Sequence, residues 1–273
     1  MRNVKAGFGV VGNFAEHLEQ AGEAADFARV ATPAGTPKGL FPFYVNGAEG
    51  YLGRPCVDNS NLIIPKGANV QAEPEIAVRF GVNYYGGQVY ELEAQAFMAF
   101  NDASVRGDKT AVKISQKKNF STASKGAGGE IAIDFFERGG ICDRFSLVSF
   151  LRSGDEWLQY GECARLSDYS YFYGELVGWI IDRLNSQPDF ETLENLSSHL
   201  ATAGFPGEIL ITLGATRYEK GGLERYLKAG DEIQIITFNH EKFSLADIEK
   251  AARESSLKNG ENISVLTQKV SEL

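Results

Sequence analysis

Glu73 and Glu75 flank a single proline, and in an extended chain residues i and i+2 project to the same face, so their carboxylates converge. Pro74 donates no backbone hydrogen bond, which places the pair at a strand start or on a sheet edge. Two anions so close repel each other unless a proton or a cation lies between them. Taken alone, the pair fits an exposed acidic edge as well as a ligand site. Asp102 shifts that balance. It follows the apolar run Phe97, Met98, Ala99, Phe100 by two residues, and a carboxylate at the end of a buried strand has to be solvated, paired or metal-bound. Three carboxylates with no His or Cys nearby in sequence make an oxygen-only donor set, which suits Mg²⁺ or Mn²⁺, with Ca²⁺ as the alternative ion. Such ions keep coordination positions for water or substrate, so the site could do chemistry.

Three other groups of residues compete for attention. Residues 117–129 combine Lys117, Lys118 and Lys125 with Thr122, Ser124 and five glycine or alanine positions. Lysines among hydroxyls and flexible backbone can hold a carboxylate or phosphate, although a solvated basic loop has the same composition. Among the three histidines, His199 and His240 read as surface residues. His17 lies between Glu16 and Glu19 on a helical pattern and is the candidate acid–base group. Gly7, Gly9 and Gly12 match a dinucleotide fingerprint, but only six residues precede it and a Pro/Gly-rich stretch follows. A strand entering a tight turn is the preferred reading, and an oxidoreductase would rest on that motif alone.

The composition narrows the classes. The chain has 273 residues, 43% apolar and 23% charged, enough for one large core and inconsistent with a disordered chain. Its 27 basic and 36 acidic residues leave a net charge of −9, which disfavours binding to a phosphate backbone. No apolar run approaches the roughly 18 residues of a membrane span, and the Gly-broken start does not read as a signal peptide. Three cysteines without CxxC spacing predict reduced thiols in a cytoplasmic protein, with neither a disulfide frame nor a zinc site.

The elements that must position these residues follow from periodicity. Residues 13–29 read as a helix capped by Asn13, and residues 32–70 as irregular chain with short strands. Strands are predicted over 75–82, 89–100, 131–136, 209–213 and 232–238, and a hairpin with a Gly154-Asp155 turn over 145–160. A helix follows with Phe172, Leu176, Ile180 and Leu184 on one face, and a tail helix opens with a capping box at Ser244 and Asp247 and runs to about residue 257. Strands dominate the middle and helices the flanks, so the class is α+β.

Five segments, in order, resemble the fumarylacetoacetate hydrolase family over roughly residues 8–237. GNFAEHLEQ is similar to its N-Y-x-x-H-x-x-E segment, QAEPEIAVRF to its E-x-E-L-x-V strand, and FNDASVR to N-D-x-S-A-R-D. KKNFSTAS is similar to its K-N-F-G-T-T-x-S loop, and FPGEILITLGATRY with LKAGDEIQI to its P-G-D-x-I-x-T-G-T-P and L-x-P-G-D-x-V segments.

The resemblance implies a mixed β-sandwich or roll with peripheral helices, commonly a homodimer, spanning residues 1–243, with residues 1–70 as a helix-and-loop arm over the site and 244–273 as a C-terminal helical tail. It implies a divalent metal on Glu73, Glu75 and Asp102, Lys118 on the substrate's oxygens, Arg106, Thr122 and Thr216 lining or bracing the site, and His17 managing a proton. The implied activity is C–C bond hydrolysis, decarboxylation or isomerisation of a small oxo-acid through a metal-stabilised enolate. The departures favour an alternative, a non-catalytic fold relative that binds a metal–oxo-acid complex or a protein partner. Gln20 stands where the family has an acid three residues after the histidine, with Glu19 one position out of register. Gly107 replaces the Asp after the motif arginine, Leu213 to Thr216 do not supply the usual Gly-Thr-Pro, and the early F-x-K-P lysine has no counterpart.

Overall fold

The structure, a computed structural model, describes residues 4–27, 29–30, 32–33 and 35–273. It opens with β1 (Ala6–Val11), the short helix α1 (His17–Gln20) and β2 (Gly39–Val45). β3 (Asn61–Ile64) and the two-residue β4 (Val70–Gln71) lead into a long hairpin of β5 (Pro74–Tyr85) and β6 (Gln88–Asn101). After β7 (Ser104–Val105) come α2 (Ile114–Lys118) and two brief strands, β8 (Gly126–Ala127) and β9 (Ile131–Ala132). A second hairpin, β10 (Phe145–Ser153) and β11 (Glu156–Arg165), precedes α3 (Tyr173–Ser186) and α4 (Leu196–Thr202). The chain finishes with β12 (Glu208–Thr212), α5 (Lys220–Leu223), β13 (Glu232–Asn239), α6 (Leu245–Arg253) and β14 (Ile263–Glu272).

Two mixed sheets carry the fold. One runs β2-β1-β12-β5-β6-β8 with β9 also on β6, and the other runs β11-β10-β13-β14-β3; β4 and β7 form a separate pair. Among the strands of the described residues, β1–β12 and β14–β3 pair in parallel and the rest antiparallel. The inner faces meet in a single large core, in which Phe97 of β6 packs edge-on against Phe145 of β10 with ring centroids 5.0 Å apart. α3 buries Leu176, Ile180 and Leu184, spaced at i, i+4, i+8, in that same core, beside β6 and β2 of the first sheet. Among the described residues, no helix is long and apolar enough to cross a membrane.

The glycines of the early fingerprint serve the sheet. The Phe43 and Phe41 rings of β2 lie where side chains at Gly7 and Gly9 would sit, and Gly12 turns the chain at φ +72°. That is the strand and tight turn expected from the sequence.

Three expectations are corrected. The helix over 13–29 is instead one turn, α1, and a 3₁₀ turn at Ala24–Phe27, because the chain turns through Gly22 at φ +69°. Asn13 caps nothing; its side chain donates to the Tyr171 and Leu213 carbonyls at 3.0 Å and accepts from the Tyr171 N–H at 2.8 Å, stitching β1 to two later loops. The strand over 131–136 shrinks to two residues. The tail is not helical throughout: α6 forms on its Ser244–Asp247 capping box, but β14 then inserts between β13 and β3. The end of the tail, Ile263–Glu272, is therefore an integral part of the second sheet. Ser264, Leu266, Gln268 and Val270 alternate on its buried face, and two polar residues in that row disguise the period-2 pattern.

Candidate metal centre

The site forms where β5 starts and β6 ends. Pro74 pairs with Asn101 in the β5–β6 register, so Glu73 and Asp102 face each other one step beyond the ladder. The Asp102 N–H donates to the Glu73 carbonyl at 3.1 Å, and the Glu73 N–H donates to Asn101 Oδ1 at 3.1 Å. Both backbones are thus fixed, and Glu75, two residues along β5, points the same way. Glu73, Glu75 and Asp102 are each less than 5% exposed and offer carboxylate oxygens that all lie within 4.8 Å of one another. The sequence expectation of converging acids is met in space.

Cations come from three directions. The end of α2 brings Lys118 Nζ to 2.5 Å from Glu73 Oε2 and 2.6 Å from Asp102 Oδ2. Just before β8, fully buried Lys125 places Nζ 2.8 Å from Asp102 Oδ1. Arg106 reaches Glu73 Oε1 at 2.9 Å. Burial alone would lift the Glu73 carboxyl, but Lys118 and Arg106 hold it down at about 2. Glu75 is the opposite case: burial and the neighbouring Asp102 charge push its carboxyl well above the usual range. It accepts the Gly214 N–H at 2.5 Å and makes no ion pair among the described residues. A donor set of hard oxygens, one of them lacking a cationic partner, suits a divalent cation, so the residues fit the metal that the resemblance implies.

His17 stands over the cradle on α1, 5% exposed, with Nε2 3.9 Å from Glu73 Oε2 and its ring tilted against Tyr218. Burial lowers its pKa to about 4 despite the nearby Glu73 charge, so the imidazole is neutral at pH 7 and the contact is no ion pair. Neither ring nitrogen has a hydrogen-bond partner among the described residues. Gln20 does not face the imidazole; it clamps α1 by accepting from the Tyr218 N–H at 2.8 Å.

The residues expected to contact substrate divide. Arg106 is spent on the protein: its guanidinium donates to Gln71, Glu23 and the Tyr218 hydroxyl at 2.7–2.9 Å besides pairing with Glu73. It braces the cradle. Thr216 is buried, but its hydroxyl donates to the Pro74 carbonyl at 3.3 Å and holds backbone. Thr122 is exposed and does not line the cavity beneath His17. Two members were missed from sequence. Glu23 is 6% exposed and pairs with Arg106 at 2.7 Å, so its carboxylate braces the guanidinium. Its signal was an acid one step past Gly22, outside the expected helical spacing. Lys125 carried only the general signal of a basic loop.

A small cavity of about 20 Å³ reaches this site, lined among others by Asn13, His17, Phe41, Glu73, Lys118 and Gly214. That holds one or two waters.

Comparison with known proteins places the fold. The fold is similar to that of 5-carboxymethyl-2-hydroxymuconate delta-isomerase from Mycobacterium smegmatis, at 17% identity and TM-score 0.56, over 99% of this chain and 80% of that one. A fumarylacetoacetate hydrolase family protein from Yersinia pestis CO92 gives 16% identity and TM-score 0.53 over 98% and 94% of the two chains. A 2-keto-3-deoxyarabinonate dehydratase gives 12% and 0.57 over 99% and 74%. The mixed-sheet fold is thus the fumarylacetoacetate hydrolase fold that the ordered motifs implied. No match is found among curated proteins. A family model described as a family of unknown function, DUF5718, matches residues 23–270.

Proposed function

Because the chain belongs to the DUF5718 family, of unknown function, its activity has to be argued from its own site, and we propose that it is a Mg²⁺- or Mn²⁺-dependent enzyme acting on a small oxo-acid. The reaction would be C–C bond hydrolysis, decarboxylation or keto–enol isomerisation. The observation that carries this reading is the buried convergence of Glu73, Glu75 and Asp102. Neighbours in fold include proteins named as an isomerase and a dehydratase.

Glu73, Glu75 and Asp102 would hold the ion. When bound, it would supply an electrophile that lowers the cost of an enolate forming as a C–C or C–H bond breaks. Lys118 orients two of the ligand carboxylates and is the cation best placed to meet a substrate carboxylate. Arg106, locked between Glu73 and Glu23, keeps the first ligand from turning away. His17 is neutral at pH 7 and can take a proton at Nε2, the nitrogen nearer the cradle. α1 shuts out water, and a substrate larger than the 20 Å³ cavity requires this segment to lift.

The small volume of that cavity favours the second reading, a non-catalytic fold relative that binds a partner or a metal-bound acid. Metal-dependent deuterium exchange at the α-carbon of pyruvate or oxaloacetate separates the two. Exchange above the uncatalysed rate, lost on chelation and lost in Asp102→Asn, supports the enzyme. Exchange at the uncatalysed rate with Mn²⁺ bound would sink it.

A further inference from the structure

Lys125 is the one buried ammonium of the cradle that cannot reach a ligand. It is fully buried, and its ammonium is committed to Asp102 Oδ1 at 2.8 Å and to the carbonyls of Ala103 and Lys118 at 3.3 and 2.5 Å. Its contribution to the site is therefore charge and the aim of Asp102. Arg106 and Glu23 balance one another. What remains is three carboxylates, Glu73, Glu75 and Asp102, against two ammoniums, Lys118 and Lys125. With all three carboxylates ionised, as holding a divalent ion would require, these groups sum to one negative charge, and the ion would turn that to one positive charge.

Net charge in a dry interior is costly. An ion entering alone would be held poorly, and an anionic chelator entering with it would restore neutrality. Without Lys125 the same ion would leave the cradle neutral and need no anion. We propose that Lys125 is a resident countercation that makes divalent-metal binding conditional on an anionic, chelating ligand, so that the protein captures the metal and a carboxylate-bearing oxo-acid together. By linkage, the metal then strengthens binding of the acid by the same factor. This inference rests on the metal-site reading above and adds to it a coupling between metal and ligand.

The experiment is Mn²⁺ titration by calorimetry, with and without oxalate, on the full chain as wild type, Lys125→Met and Lys125→Arg. For the wild type, oxalate should tighten Mn²⁺ at least tenfold. Lys125→Met should bind Mn²⁺ alone at least tenfold more tightly than wild type, and its gain from oxalate should shrink by a similar factor. Lys125→Arg, which keeps the charge, should behave as wild type. Lys125→Gln, whose amide can still donate to Asp102, replaces the Met variant if circular dichroism shows that the latter does not fold. A folded neutral variant that binds Mn²⁺ alone no more tightly than wild type overturns the role of Lys125 while leaving the metal site intact. Absence of Mn²⁺ binding in every protein, with oxalate present, overturns the metal-site reading itself and this inference with it.

Discussion

The Asn101 side-chain amide donates to Gln268 Oε1 at 2.8 Å, with neither residue exposed to solvent. Asn101 uses its oxygen for the Glu73 N–H, and Gln268 uses its amide for the carbonyls of Asp58, Asn61 and Lys125. The last strand of the chain is thereby tied, through one asparagine, to the first acid of the cradle and, through one carbonyl, to its rear cation. The tail of the molecule is a buttress of the site.

Gln268→Leu tests that tie. The substitution keeps the volume roughly constant but strands the Asn101 amide and three carbonyls, and a buried polar group left without a partner costs roughly 1–3 kcal/mol. Urea denaturation should show a loss of about 3 kcal/mol in total, since some carbonyls keep backbone partners. Mn²⁺ affinity should fall as Glu73 loses its fixed backbone. A variant within 0.5 kcal/mol of wild type, a margin typical of surface substitutions, would show that the bridge does not matter.

Asp102→Asn removes the shared anion of two ammoniums. Breaking a buried ion pair by deleting one partner costs about 3–5 kcal/mol, and the retained amide oxygen should keep the loss near the lower bound. The same variant should no longer bind Mn²⁺ measurably in the presence of oxalate. Tight residual binding would mean that the ion sits elsewhere.

His17→Asn separates metal binding from proton transfer. Removing a positioned general base typically costs about 10²–10⁴ in rate, so α-carbon exchange should fall by that range while Mn²⁺ affinity changes little. Equal exchange in variant and wild type would remove His17 from the chemistry.

Glu194 gives the stability a pH dependence away from the cradle. It is 6% exposed and accepts from the Ser115 hydroxyl, while burial pushes its carboxyl up to about 7. The folded protein thus favours the neutral acid, whereas the unfolded chain ionises it near pH 4.3. Its contribution is fully present below the unfolded pKa and is lost as pH rises through the folded value, a difference of about 4 kcal/mol. Urea unfolding at pH 5 and pH 8 should therefore show a decline that Glu194→Gln flattens. An identical slope in wild type and variant would assign the pH dependence to other groups.

Mn²⁺ with oxalate should also stabilise the fold by mass action, about 2.7 kcal/mol at a hundredfold excess over the dissociation constant. The thermal midpoint should rise accordingly and return on chelation. No shift under saturating conditions would contradict a ligand bound to the native state.

The alternating row of β5, the long apolar run of β6, the hairpin over 145–160 and the i, i+4 face of α3 were all legible in the sequence, because period-2 and period-3.6 patterns are local properties of a chain packed on one side. So was the convergence of Glu73 and Glu75, which needs only an extended backbone between them. β14 was not legible, since Ser264 and Gln268 occupy inward positions and are satisfied by residues far away in the chain. The breaking of the early helix at Gly22 brought Glu23 to Arg106, a pairing across 83 residues that no local pattern reports. Thr122 and Arg106 carried motif-like positions, yet one lies in solvent and the other is consumed by protein partners. The sequence by itself determined which acids could converge and which strands carry them. Only the tertiary structure decided which cations neutralise those acids and how tightly α1 closes over them, because charge balance in a buried site is set by groups that meet through folding rather than along the chain.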